Sequence, residues 1–154
     1  MADKASVAAT ERRAPKSQGP APIAKPAPGA GIGAQVTAVI DGKEVKVPLG
    51  TTILEAAKEI GVRIPTLCHH PDLCIAGVCR ICVVEIENQR TLQAACAYPI
   101  TAPIKVKTHT PKVRRARRHV LDLLLSKHYG ECYSCFRNNN CELQSLAKEY
   151  GVDF

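Results

Sequence analysis

The segment Q35-V-T-A-V-I-D-G-K-E-V-K-V-P-L-G-T-T-I-L-E-A-A-K-E-I-G61 holds two different hydrophobic periods and the signals that separate them. Q35-V-T-A-V-I40 and K43-E-V-K-V-P48 flank D41-G42, a dipeptide suited to a tight turn, so the first half predicts a β-hairpin. From Thr51 onward the period lengthens. Thr52 with Glu55 three residues later forms a capping box, Ile53, Ala56, Ala57 and Ile60 share one helical side, and Gly61 supplies a stop. The order is therefore β-β-α.

Working outward, a Gly- and Cys-bearing loop runs from Thr66 to Val78, followed by the partly alternating I81-C-V-V-E-I-E87 and short extended pieces near Leu92–Ala94 and Ile104–Val106. A helix is predicted over 111–128. Pro111 lies near its start, and Val113, Ala116, Val120, Leu123, Leu124 and Lys127 recur mostly at three- and four-residue steps, with arginines over much of the remaining surface and Gly130 as a stop. E142-L-Q-S-L-A-K-E-Y150 reads as a second helix ending at Gly151. Residues 1–33 are Ala/Pro/Gly-rich without apolar periodicity and read as a flexible tail; Asp3, Glu11 and the prolines oppose a mitochondrial presequence helix despite Arg12 and Arg13. The expected division is 1–33 tail, 34–108 first domain and 109–154 helical domain.

The 154 residues include no tryptophan, two phenylalanines and four tyrosines, so the core is small and needs support from metal, disulfides or a partner surface. Eight cysteines stand in a chain with no apolar secretory signal and no segment long enough to span a bilayer. A cytoplasmic chain with no direct membrane insertion is the expectation, and there cysteine pairs serve more often as metal ligands or reactive thiols than as disulfides. The net charge is +7, and Lys105 to Arg118 contains seven Lys/Arg and no Asp or Glu. Such a block suits nucleic acid, an acidic protein or an anionic cofactor. A zinc-stabilised nucleic-acid-binding module using K112-V-R-R-A-R-R118 is a rival reading, but that run lacks the aromatics on which bases stack, so no nucleic acid is expected.

The cysteines fall into two groups. Cys68, Cys74, Cys79, Cys82 and Cys96 are spaced C-x5-C-x4-C-x2-C-x13-C, and C74-I-A-G-V-C-R-I-C82 has the spacing of plant-type 2Fe-2S ferredoxins. Five thiols compete for four positions, and spacing leaves Cys68 and Cys74 as alternatives. A zinc site including Cys79 and Cys82, or a redox dithiol at C79-R-I-C82, are the competing readings. In the second group, His128, Cys132, Cys135 and Cys141 form H-x3-C-x2-C-x5-C, with N138-N-N140 as turn formers. These ligands suit zinc or a 4Fe-4S cluster. His69, His70, His109 and His119 have no cysteine in a matching arrangement and read as loop or surface residues.

I64-P-T-L-C-H-H-P-D-L73, G77-V-C-R-I-C-V-V-E85, L92-Q-A-A-C-A-Y-P99 and H128-x3-C-x2-C-x5-C-E-L-Q144 together resemble one family. It is the N-terminal iron-sulfur region shared by the large iron-sulfur subunit of respiratory complex I, iron-only hydrogenases, NAD-linked hydrogenase diaphorase subunits and NAD-dependent formate dehydrogenases. The resemblance covers about Gln35 to Gly151. It implies an α+β chain in which a β-grasp 2Fe-2S ferredoxin-like domain precedes a small helical domain holding a His/Cys3 4Fe-4S cluster. It assigns Cys68, Cys79, Cys82 and Cys96 to the first cluster, and His128, Cys132, Cys135 and Cys141 to the second. Cys74 departs from the family pattern and is the spare thiol.

G29-A-G-I-G33 precedes a strand and lies in the low-complexity segment, the wrong context for dinucleotide phosphates, and no acid-base or nucleophilic group stands out. The expected role is a non-catalytic electron-transfer subunit of a multi-subunit NAD(H)-linked complex, a hydrogenase first of all and an electron-bifurcating one among the options. The resemblance implies as partners a flavin-containing NAD(H)-linked subunit and a hydrogenase or formate dehydrogenase catalytic subunit, in a hetero-oligomer, because many relatives continue into further clusters and a catalytic domain where this chain stops. A stand-alone soluble ferredoxin and a formate dehydrogenase or complex I-type subunit are the alternatives.

Overall fold

The computed structural model describes residues 34–128 and 131–153. Strands β1 (Gln35–Ile40) and β2 (Lys43–Pro48) form the expected hairpin, in which Gln35 pairs with Pro48 and Ile40 with Lys43. Asp41 (φ 49°) and Gly42 (φ 84°) take the left-handed conformation that a two-residue hairpin turn demands. Helix α1 (Ile53–Glu59) starts where the sequence placed it: the Thr52 hydroxyl accepts from the Glu55 N–H at 3.2 Å, and the Glu55 carboxylate accepts from the Thr52 N–H at 2.9 Å. Ile53, Leu54, Ala56 and Ala57 are the buried face of the helix.

Three further strands follow, β3 (Val83–Ile86), β4 (Gln93–Ala94) and β5 (Ile104–Lys107). The sheet order is β2-β1-β5-β3-β4, with β1 and β5 parallel at the centre and the other neighbours antiparallel. This is the β-grasp arrangement. Its core joins Ala38, Ile40 and Val47 to Ile53, Leu54, Val84, Ile100 and Val106, so α1 closes one face of the sheet.

Helices α2 (Pro111–Ser126) and α3 (Glu142–Tyr150) complete an α+β fold. Thr110 caps α2 by accepting from the Val113 N–H at 3.3 Å, and α3 ends at Gly151 in the left-handed conformation. Gly130, the expected stop of α2, and the tail 1–33 lie outside the described residues. The inward face of α2 differs from expectation. Val113, Arg117 and Leu121 are its fully buried residues, whereas Leu123 is 69% exposed. A step of four from Val113 to Arg117 to Leu121 sets the face, and an arginine occupies its middle.

Leu121 belongs to a second apolar cluster with Ile81, Leu146, Ala147 and Val152, against which Leu67 and Cys79 also pack. The loop preceding β3 is thus wedged onto the two helices. An Arg63–Glu149 ion pair at 3.2 Å adds a link from the same loop to α3. Both partners are well exposed, so its contribution is small.

Candidate metal centres

The first group of thiols is positioned by strand ends. Cys82 immediately precedes β3 and Cys96 lies two residues after β4, and because Val83 pairs with Ala94 the two cysteines meet despite their separation in sequence. Their Sγ atoms are 3.4 Å apart and both residues are buried. The Ala95 N–H donates to the Cys82 carbonyl and the Leu54 N–H to the Ala95 carbonyl, tying this corner to α1.

Cys68 and Cys79 form a second thiol pair on the loop. Burial pushes the Cys68 thiol up, but N–H groups of Cys79, Val78 and Gly77, together with the Cys79 thiol, outweigh it and hold Cys68 below its ordinary value. Cys79 moves the opposite way: burial dominates, although the Ile81, Leu67 and Cys68 N–H groups point at its sulfur. Gly77 (φ 62°) and Arg80 (φ 57°) are both left-handed, the local backbone pattern that turns successive N–H groups toward one anionic centre. Cys96 is pushed up to about 12 by burial first, then by the Cys82 thiol and by repulsion from Cys82, Cys68 and Cys79. These four sulfurs therefore sense one another. Cys74 is exposed on the same loop.

The second group surrounds a cavity of about 230 Å³, lined by His128, Cys132, Cys135 and Cys141 with Leu125 and Leu143 as apolar walls. The fold-back is built from local hydrogen bonds. The Cys135 N–H donates to the Cys132 carbonyl at 3.3 Å, the Asn138 N–H to the Cys135 carbonyl at 3.0 Å, and the Arg137 N–H to the Cys135 sulfur at 3.4 Å. Asn139 is left-handed, and buried Gln144 clamps the turn by accepting from the Asn139 N–H and donating to the Asn138 Oδ1, each at 3.0 Å. Cys141 is the N-cap residue of α3, and His128 follows the end of α2 with its N–H on the Leu125 carbonyl. The turn-forming asparagines thus do what their residue type suggested.

Among the described residues, no group of three or more His, Cys, Asp or Glu side chains is arranged to hold a single metal ion. The first donors are gathered instead as two pairs of soft thiols, with inward N–H groups directed at their sulfurs. That chemistry fits an anionic iron-sulfur core. Sequence reasoning missed one residue here. Arg117, fully buried, reaches the Val83 carbonyl beside Cys82 at 2.9 Å; its only signal was the four-residue spacing from Val113 and to Leu121.

A β-grasp sheet carrying this thiol loop, followed by a helical module with its own thiols, defines a ferredoxin-like iron-sulfur protein. The chain belongs to the family described as 2Fe-2S iron-sulfur cluster binding domain, matched over residues 33–111, and residues 117–154 match the NADH-ubiquinone oxidoreductase-G iron-sulfur binding region. It is 48% identical over 122 residues to the NADP-reducing hydrogenase subunit HndD of Solidesulfovibrio fructosivorans, covering 76% of this chain and 21% of that protein. It is 42% identical over 118 residues to the NADH-ubiquinone oxidoreductase 75 kDa subunit of Reclinomonas americana, covering 77% and 17%. A chain in the crystal structure of an NAD+-reducing NiFe-hydrogenase in the H2-reduced state superposes with a TM-score of 0.71 at 35% identity, over 78% of this chain and 50% of that one. The chain thus spans about a fifth of the length of these curated relatives. Among the described residues, no helix is long and apolar enough to cross a membrane.

Proposed function

We propose that the chain is an electron-transfer iron-sulfur unit of a multi-subunit NAD(H)-linked hydrogenase, passing electrons between a flavin-containing subunit and a hydrogenase catalytic subunit. The observation that carries this reading is the presence, in one chain, of two separate donor sets joined by a shared apolar cluster. Similarity to a NADP-reducing hydrogenase subunit and to a NAD+-reducing hydrogenase chain supports the choice of assembly. Similarity to the 75 kDa subunit favours, as a second reading, a complex I-type assembly with the same electron-carrying role.

In this reading residues 34–108 hold a 2Fe-2S cluster and residues 109–154 a 4Fe-4S cluster. Cys68, Cys79, Cys82 and Cys96 would hold the first through their thiolates. His128, Cys132, Cys135 and Cys141 hold the second. Such clusters supply one-electron chemistry when bound. The chain's own part is to direct backbone N–H groups at the sulfurs, to bury Cys82 and Cys96 away from water, and to fix the separation of the two sets through Leu67, Cys79 and Ile81 packed on α2 and α3. One imidazole among three thiolates leaves less negative charge around the second centre, which makes it easier to reduce than a four-thiolate equivalent.

Anaerobically purified chain is expected to contain about six iron and six acid-labile sulfide, as these two cluster types require, with two distinct paramagnetic signals on reduction. Zinc without sulfide would overturn the proposal.

A further inference from the structure

Arg117 is an ion out of place. Its side chain is fully buried, and among the described residues it takes part in no ion pair. Its two hydrogen-bond acceptors are neutral oxygens, the Val83 carbonyl and the Tyr150 hydroxyl, each at 2.9 Å, and its Nε has no acceptor. A guanidinium cannot escape the cost of burial by losing its proton. A buried cation of this kind needs negative charge nearby that carbonyl and hydroxyl dipoles only partly replace.

The backbone ties Arg117 to the first donor set. Val83, whose carbonyl Arg117 grips, directly follows Cys82, whose thiol meets Cys96. The second donor set is farther along the chain: from Arg117 to Ser126, where α2 ends just before His128, the helix rises roughly 14 Å. Arg114 lies over the Tyr150 ring at 5.9 Å, so a second guanidinium backs the residue that orients the first.

We propose that Arg117 is the internal counter-charge of the Cys68/Cys79/Cys82/Cys96 set and raises the midpoint potential of the centre held there. This rests on the iron-sulfur reading above. Reduction adds negative charge at that centre, and a fixed buried cation stabilises the reduced form more than the oxidised one. The effect falls with distance, so the first centre feels it more than the second.

The test is a spectroscopically monitored redox titration of the full, cluster-loaded chain and three variants. Arg117→Gln removes the charge but keeps a donor for the Val83 carbonyl, Arg117→Met removes both, and Arg117→Lys keeps the charge. The neutral variants are expected to shift the oxidised-to-reduced balance of the first centre by about tenfold, a fall of about 59 mV for a one-electron couple, with a smaller shift at the second centre and near wild-type behaviour in Arg117→Lys. Loss of iron from both neutral variants with retention in Arg117→Lys supports the same role. Unchanged potentials at full iron content, equal shifts at both centres, or loss of iron from all three variants would overturn it and leave Arg117 a packing residue. A wild-type chain without iron would overturn the iron-sulfur reading as well, which separates the two failures.

Discussion

Leu121→Ala tests whether the second apolar cluster is an energetic unit of its own. Leu121 is fully buried and its buried neighbours are Ile81, Leu146, Ala147 and Val152, none of which belongs to the larger sheet-and-α1 core. Truncation of a buried leucine costs about 3 kcal/mol, part from lost transfer energy and part from the cavity left behind. At about 1.4 kcal/mol per factor of ten, that is roughly a 150-fold increase in the population of the locally opened state. Hydrogen exchange on the full, cluster-loaded chain measures it directly. Amides of α3 are expected to exchange faster by about that factor, while those of β1 and β2 keep their protection. Equal acceleration in β1 and α3 would show one indivisible core, and unchanged exchange in α3 would show that Leu121 does not hold the helices; either result refutes the reasoning.

Cys68→Ser is expected to damage the 2Fe-2S signal while Cys74→Ser leaves it nearly intact; the reverse pattern in electron paramagnetic resonance would make Cys74 the ligand. His128→Cys should retain a 4Fe-4S signal at a lower midpoint potential, since a thiolate adds negative charge, and an unchanged potential would mean that His128 is not a ligand. Thr52→Ala removes a capping hydroxyl and should lower stability by about 1 kcal/mol in a denaturant titration. The Glu55 carboxyl is held below its ordinary value, first of all by the Thr52 N–H, with burial opposing and the Thr52 hydroxyl assisting. Its contribution is therefore full above the unfolded carboxylate value and lost as pH falls through the folded one. The stability deficit of Glu55→Gln should accordingly shrink on acidification, and a deficit that grows in acid would contradict the capping role.

Local chemistry was legible in the chain and long-range pairing was not. The D41-G42 turn and the Thr52/Glu55 box depend on residues within four positions of one another, so the hairpin and the start of α1 could be read directly. The parallel pairing of β1 with β5 joins Ala38 to Ile104, and no local pattern encodes it. The β-grasp expectation came through family resemblance, and the sheet order matches it. Cysteine spacing located both candidate centres but left Cys68 and Cys74 open. The structure shows Cys68 in contact with Cys79 through thiol and backbone groups, and Cys74 facing solvent. On α2, hydropathy assigned arginines outward and Leu123 inward. The packed face has Arg117 inward because its guanidinium finds the Val83 carbonyl and the Tyr150 hydroxyl across the cluster.

The two outer strands of the sheet carry a consequence for the chain's behaviour at high concentration. β4 is only two residues long, and β2 presents Lys43, Glu44, Lys46 and Pro48 as exposed positions around the buried Val45 and Val47. Neither margin gives a second molecule a long, uncharged row of amides on which to template, so edge-to-edge growth into fibrils is disfavoured at both sides.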